Sequence, residues 1–288
     1  MAGCLGSKSA GNKAVTTAFV LGGGGRWGAV EVGMLRALFE AGIEPDLVLG
    51  TSIGAFNGSV IADRPGADGV EGLTELWVRI AESDLLQGSR IDRLKNVATL
   101  RPALHETSEL RALLEGAHTP GRLIEDLTIP FQCVAASIER AAEHWFTSGP
   151  LIEALLASSA VPALFPPVEI GGEHFYDGGL VNSVPLARAV ELGAKEVYVL
   201  QVGRIESPLR PPQRLHEAAL ISFEIARRHT YHAAVANLPE GIGLHLLPSG
   251  NPVAFDDARQ LKWRDVSSTR GLIDGAYAAS VAYLEAER

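Results

Sequence analysis

Two consecutive units of the chain read as a buried strand, a glycine-rich turn and a helix, and they restrict the fold more than any other feature. TTAFVLG (16–22) is an apolar run of strand length, and GGGGRWG (22–28) follows it directly. Residues 28–41 then place Val32, Leu35, Leu38 and Phe39 at helical spacing. DLVLG (46–50) is a second short strand, GTSIG (50–54) a second turn, and 53–62 a second helix. Strands alternating with helices imply a largely parallel sheet covered on both faces.

The pattern continues along the chain. PFQCVAASI (130–138), EHWFTS (143–148), KEVYVLQV (195–202) and IGLHLLP (242–248) read as strands, and HFYDGG (174–179) as a strand ending in a turn. Residues 151–159, 185–192, 211–237 and most of 256–287 have helical spacing. The 63–125 segment contains ELWVRIAESDLL and ETSELRALLEG, helical stretches with polar faces, and is expected to cover one side of the core. The 204–288 part is mostly helical, and residues 1–14, rich in Gly, Ser and Lys, read as a disordered tail. The expected class is α/β: one three-layer α/β/α domain over 15–288 with a mostly parallel central sheet. Length alone allows two domains, but the chemistry spans residues 22 to 179 and must converge.

Composition narrows the function. With 47% hydrophobic and 20% charged residues over 288 positions, the chain can bury a full core. Lys and Arg number 25 against 34 Asp and Glu, a net charge of −9. That charge argues against nucleic acid as a partner, since phosphate binding needs a positive field, and against polybasic docking on anionic lipid. Cys4 and Cys133 form neither a disulfide framework nor a metal-ligand spacing, which suits a reducing compartment. No signal-peptide core occurs in MAGCLGSKSAGNK, and no apolar stretch reaches the roughly 18 residues of a membrane span. The expectation is a soluble, cytoplasmic chain, at most peripheral at membranes.

Three motifs carry chemistry. GTSIG has the G-x-S-x-G form, in which a strand turns sharply into a helix and exposes a serine, here Ser52, at the crest. Gly50 and Gly54 leave room for so tight a turn. In GGGGRWG, successive backbone N–H groups can form a nest ahead of a helix N-terminus. Such a nest binds a phosphate, or the oxyanion that forms when an ester carbonyl is attacked. Residues 23–28 also fit the dinucleotide pattern G-x-G-x-x-G, with Glu44 or Asp46 near the acidic position, but that reading leaves GTSIG without a role. Asp177-Gly178-Gly179 ends a strand with a carboxylate; alone it suits a turn, and beside a nucleophile and an anion hole it suits a base.

These motifs, in this order, resemble the patatin-like phospholipase family: a G-G-G-x-x-G loop at Gly23–Gly28, an elbow at Gly50–Gly54, and D-G-G at Asp177–Gly179. EVGMLRALFEAGI, GTSIGAFNG, ASSAVPALFPP and DGGLVNSVPLARAVELGAKEVYVL extend the resemblance over residues 16 to about 203. It implies a histidine-free dyad, with Ser52 as nucleophile and Asp177 as base, and an oxyanion hole from Gly23, Gly24 and Gly25. Gly28, Gly50, Gly54, Gly178 and Gly179 support the motifs; Asn57, Asn182 and Pro185 match the family pattern as structural supports. The family's basic residue before the last loop glycine is replaced here by Trp27, with Arg26 one position earlier.

The resemblance implies hydrolysis of fatty-acyl esters of phospholipids, lysophospholipids or related lipids, with transient contact at a lipid surface. It implies neither metal nor organic cofactor. A non-catalytic acyl binder of the same fold and a nucleotide-binding oxidoreductase are the alternatives. Free Asp has a pKa near 3.9 and is a weak base for a serine hydroxyl. Of the eight histidines, His216, His229, His232 and His245 follow the acid, where the base of a triad would lie, but none sits in a recognisable loop signature. His174 is three residues from Asp177 on a strand and should face the other way. Trp77, Trp145, Trp263 and Met34 read as core or interface residues.

Overall fold

The computed structural model describes residues 15–82, 107–162, 164–202, 208–212, 215–250 and 266–287. The 1–14 tail and Trp263 fall outside them. β1 (Thr17–Leu21) passes through a 3-10 turn at Gly25–Gly28 into α1 (Ala29–Glu40), and β2 (Leu47–Thr51) into α2 (Ile53–Asp63). The helices α3 (Ala67–Glu82) and α4 (Thr107–Glu115) follow, then the hairpin of β3 (Phe131–Ser137) and β4 (Ala142–Phe146), and α5 (Leu151–Ser158). A second hairpin joins β5 (Val168–Ile170) to β6 (Glu173–Asp177); α6 (Leu186–Glu191), β7 (Glu196–Leu200), α7 (Leu215–Ala236), β8 (Gly243–Leu247) and α8 (Val266–Ala286) complete the chain.

Among the described residues, eight strands form one sheet in the order β5-β6-β3-β2-β1-β7-β8, with β4 also paired to β3. The run β3-β2-β1-β7-β8 is parallel, and β4, β5 and β6 add antiparallel pairs at the β3 side. Side chains of the central strands alternate between two buried layers, as the two-residue period of a strand requires. Phe19, Leu21, Val48 and Leu200 meet Leu35 of α1, Trp77 of α3 and Ile273 of α8. Ala18, Val20, Leu47, Leu49, Val197 and Val199 meet Leu186 and Ala189 of α6 and Tyr231 of α7. The sheet is therefore sandwiched between helices, as the sequence indicates. The 63–125 helices lie in the first of these layers: Leu73, Trp77 and Ile80 of α3 and Leu113 and Leu114 of α4 are buried there. Among the described residues no helix is long and apolar enough to cross a membrane.

The register of β3 positions the site. Thr51 of β2 pairs with Val134, and Asp177 of β6 pairs with the next residue, Ala135. β4 pairs with both Val134 and Ala135. A strand has two edges, so β2 and β6 must share the edge that β4 leaves open. They run in opposite directions relative to β3, and their C-terminal ends meet there. Ser52 and Asp177 are brought together by this head-to-head meeting of strand ends.

Candidate active site

Ser52 is the N-cap of α2, with φ 56° and ψ −124°. A non-glycine residue held in such a conformation costs about 1–3 kcal/mol, so its surroundings must over-determine it. They do so from three sides. The Ser52 N–H donates to Ser158 Oγ at 2.9 Å, and the Ser52 carbonyl accepts from Phe56 N–H at 3.1 Å as α2 begins. The Thr51 hydroxyl donates to the Asn182 carbonyl at 2.8 Å, tying the elbow to the segment after Asp177. The flanking glycines permit the close approach: a Cβ on Gly50 would overlap Ala55, and one on Gly54 the Leu21 carbonyl. Gly28 faces Ile53 and Trp77 in the same way, and Gly178 the Val134 carbonyl.

Asp177 ends β6 and is 1% exposed. Its N–H donates to the Ala160 carbonyl at 2.9 Å, and its Oδ1 accepts from Gly179 N–H at 2.7 Å. Its Oδ2 is buried and makes no hydrogen bond of ordinary geometry, but the Ser52 hydroxyl lies near enough to the carboxyl to favour its charge. Burial pushes the carboxyl up to about 6; the Ser52 hydroxyl, the Gly179 N–H and the Arg227 charge oppose the rise without cancelling it. The value near 3.9 assumed from the sequence is thereby corrected: removal from water makes Asp177 a stronger base than a free aspartate.

The glycine loop lies against the nucleophile. A Cβ on Gly23 would sit 3.4 Å from both Ser52 Cβ and Ser183 Oγ. The Gly23 N–H, however, donates to the Ser183 carbonyl at 3.1 Å. That bond commits one of the three amides assigned to the anion hole and leaves Gly24 and Gly25 as the loop's remaining donors. Gly24 packs so closely on Val202 that a Cβ there would overlap it, and Gly25 has φ +58°. Ile53 is the first residue of α2, so its N–H has no partner within the helix. Trp27 is half-buried against the core, so no cation stands at that loop position.

Several residues around this centre escaped the sequence reading. Among the described residues, the buried side-chain atoms without a hydrogen-bond partner include Glu31 Oε1, Asp177 Oδ2, Ser183 Oγ, Gln201 Nε2 and Arg227 Nε. Gln201 Cγ lies 3.4 Å from the point a Cβ on Gly22 would occupy, and the Arg227 charge acts on both Glu31 and Asp177. Buried polar groups normally find partners, so their gathering around Gly22 and Gly23 marks a polar centre. No local motif announces Arg227, which reaches the site from a distant element; Ser158 lies in the ASSAVPALFPP stretch, but only the fold shows that it accepts from the Ser52 N–H.

The other candidates are placed elsewhere. Asp46 Oδ2 accepts from the N–H groups of Thr16 and Thr17, both at 3.1 Å, at the end of β1 opposite the glycine loop, where it cannot serve a nucleotide in that loop. His174 bonds Glu139 at 2.7 Å on the other face from Asp177, as expected. His229 and His232 are exposed, and His245 bonds Glu196 at 2.9 Å. The side chain of His216 is outside the described set. Asn182 and Pro185 sit in the turn before α6, Trp77 and Met34 are core residues, and Trp145 is half-buried beneath Arg188. Among the described residues no three His, Cys, Asp or Glu side chains gather as a metal site.

Comparison with known proteins identifies the family. The model of the patatin-like phospholipase family matches residues 19–190. A patatin-like phospholipase domain-containing protein of Caenorhabditis elegans is 33% identical over 197 residues, covering 65% of this chain and 14% of that protein. Patatin-like phospholipase domain-containing protein 7 of Rattus norvegicus is 31% identical over 188 residues, 65% of this chain and 13% of its own length. Lysophospholipase nte1 of Emericella nidulans is 30% identical over 221 residues, 76% of this chain and 14% of its own length. The chain thus spans about one seventh of the length of these relatives. VipD from Legionella pneumophila overlays 95% of this chain and 67% of its own at a TM-score of 0.46 and 14% identity, too distant to add to the assignment. With the family model matched from β1 into α6 and the motif residues converging at one point, the chain belongs to the patatin-like phospholipase family.

Proposed function

We propose that the chain is a serine lipid acyl hydrolase that cleaves fatty-acyl esters of phospholipids, lysophospholipids or related lipids, within a single domain extending from residue 15. Asp177 Oδ2 takes the Ser52 hydroxyl proton as Ser52 Oγ forms a bond to the ester carbonyl carbon. The carbonyl oxygen becomes an oxyanion facing the amides of Gly24 and Gly25, with Ile53 N–H as a third donor. Collapse breaks the ester C–O bond, and Asp177 returns the proton to the departing alcohol. Water then adds to the acyl-enzyme with its proton passing to Asp177, and the fatty acid leaves as Ser52 regains that proton.

The observation that carries this reading is the strained Ser52 whose hydroxyl lies against the buried, weakly acidic carboxyl of Asp177. Each well-placed oxyanion donor contributes roughly 3–4 kcal/mol to the barrier reduction, which suits a dyad without an imidazole. Lysophospholipase is the printed name of one relative, and it supports the lipid substrate class. Contact with a lipid surface would begin at exposed apolar side chains such as Leu164, four residues past Ala160, and Ile225, two residues before Arg227. No step calls for a metal or organic cofactor. The test is a panel of lysophosphatidylcholine, phosphatidylcholine and monoacylglycerol with the wild-type chain, Ser52→Ala and Asp177→Asn. Hydrolysis of at least one lipid, lost in both folded variants, is expected; full activity in folded Asp177→Asn overturns the dyad.

A further inference from the structure

Beneath the glycine loop runs a buried chain of three side chains that none of the catalytic steps uses. Trp77 Nε1–H of α3 donates to Asn57 Oδ1 of α2 at 3.0 Å. Asn57 Nδ2 donates both to the Gly28 carbonyl, at the end of the loop, at 2.9 Å and to Glu31 Oε2 of α1 at 2.7 Å. All three side chains are buried, Glu31 and Asn57 completely. Near the start of the loop, the Gly22 N–H lies close enough to the Glu31 carboxyl to favour its charge, although it donates to the Leu200 carbonyl. The network therefore touches both ends of the segment 22–28 and the helix whose N-cap is Ser52.

The charge state of Glu31 follows from its surroundings. No ion pair reaches it among the described residues; Arg227, whose Nη1 bonds Glu224 at 2.8 Å, acts on it only at a distance. A carboxylate buried this way loses several kcal/mol of hydration, and burial outweighs the opposing interactions, holding the carboxyl well above its ordinary range. Its Oε2 accepts from Asn57, a bond that does not require the charge.

We propose that Glu31 is a positioning residue, which works through Asn57 and Trp77 to fix the glycine loop at the distance from Ser52 that aligns the Gly24 and Gly25 amides with the oxyanion. The idea rests on the hydrolase reading above. It assigns to the network an effect on the transition state, when the oxyanion exists, and little effect on ground-state binding.

The experiment measures kcat, KM and melting temperature with p-nitrophenyl butyrate for the wild-type chain, Glu31→Gln, Glu31→Leu, Asn57→Ala and Trp77→Phe. Wild-type turnover that depends on Ser52 secures the underlying reading; its absence defeats that reading before the variants are compared. The expected result is a kcat within threefold of wild type for Glu31→Gln, which keeps the acceptor without charge. Glu31→Leu and Asn57→Ala should lose 30-fold or more in kcat with KM within threefold. Trp77→Phe, which keeps the ring packing but loses one N–H, should lose three- to tenfold in kcat and remain folded even if the harsher variants do not. The proposal is overturned if Glu31→Gln falls as far as Glu31→Leu, or if the folded variants change KM or melting temperature while kcat is untouched.

Discussion

At the scale of single residues, Asp177 is placed where its charge is costly, and that cost is tied to its proposed task. Its carboxyl is pushed up to about 6 from 3.8, so the folded state holds the proton more tightly than the unfolded state. Such a group removes stability as pH rises from about 4 through 6, by about 3 kcal/mol in full. Asp177→Asn should therefore be more stable than wild type by about that amount at pH 8 and nearly equal at pH 4, while inactive. Chemical denaturation at the two pH values checks this. The ionised form is the base, so kcat/KM should rise with an acid limb near pH 6 and lose that limb with no other variant that keeps Asp177. A flat profile between pH 5 and 7 contradicts the role.

At the scale of elements, the strained elbow depends on α5, whose last residues open the ASSAVPALFPP stretch. Ser158→Ala removes the acceptor of the Ser52 N–H and leaves a buried amide unsatisfied, at a cost of about 1–3 kcal/mol. A lower melting temperature together with at least tenfold lower kcat is expected; unchanged kinetics would show that the elbow holds without α5. The strand–turn–helix units of β1–α1 and β2–α2 were legible because glycines and apolar runs mark them within a dozen residues. The 3-10 turn at Gly25–Gly28 falls within the stretch that the sequence marks as a glycine-rich turn, whereas β5 has no signal in the sequence. β5 has three residues, one of them Glu169, after Pro166 and Pro167, too short to show a period; only Gly171 and Gly172, both with positive φ, mark its hairpin. Ser52, Asp177 and the loop were legible from motif and resemblance. The roles of Glu31, Ser158, Ser183 and Arg227 depend on tertiary contacts, and the bond from Gly23 to the Ser183 carbonyl could not be read from glycines alone.

At the scale of the whole molecule, buried ionisable groups set the response to acid. Ser59, His118 and Asp63 form a hydroxyl–imidazole–carboxylate series, with Ser59 Oγ 2.9 Å from His118 Nε2 and His118 Nδ1 3.8 Å from Asp63 Oδ2. Ser59 and His118 are buried, and Ser59 donates to the Phe56 carbonyl, so the series joins α2 to the segment after α4 instead of meeting substrate. Burial lowers the His118 imidazole to about 4 from 6.5. The unfolded state then takes the proton more readily, and stability is lost as pH falls from 6.5 to 4, by about 3 kcal/mol. The free-energy difference between His118→Gln and wild type should shift in favour of the variant by about that amount across this window, with activity at pH 8 preserved. This slope opposes that of Asp177, and double-variant denaturation should show the two adding independently.

The convergence of the ends of β2 and β6 on one edge of β3 is tested most directly by exposing the folded chain to an uncharged fluorophosphonate and mapping the adduct by peptide mass. The account predicts a single adduct on Ser52, absent in Ser52→Ala and formed far more slowly in Asp177→Asn. A folded chain that takes no adduct, or takes it at the same rate without the Asp177 carboxylate, would contradict it.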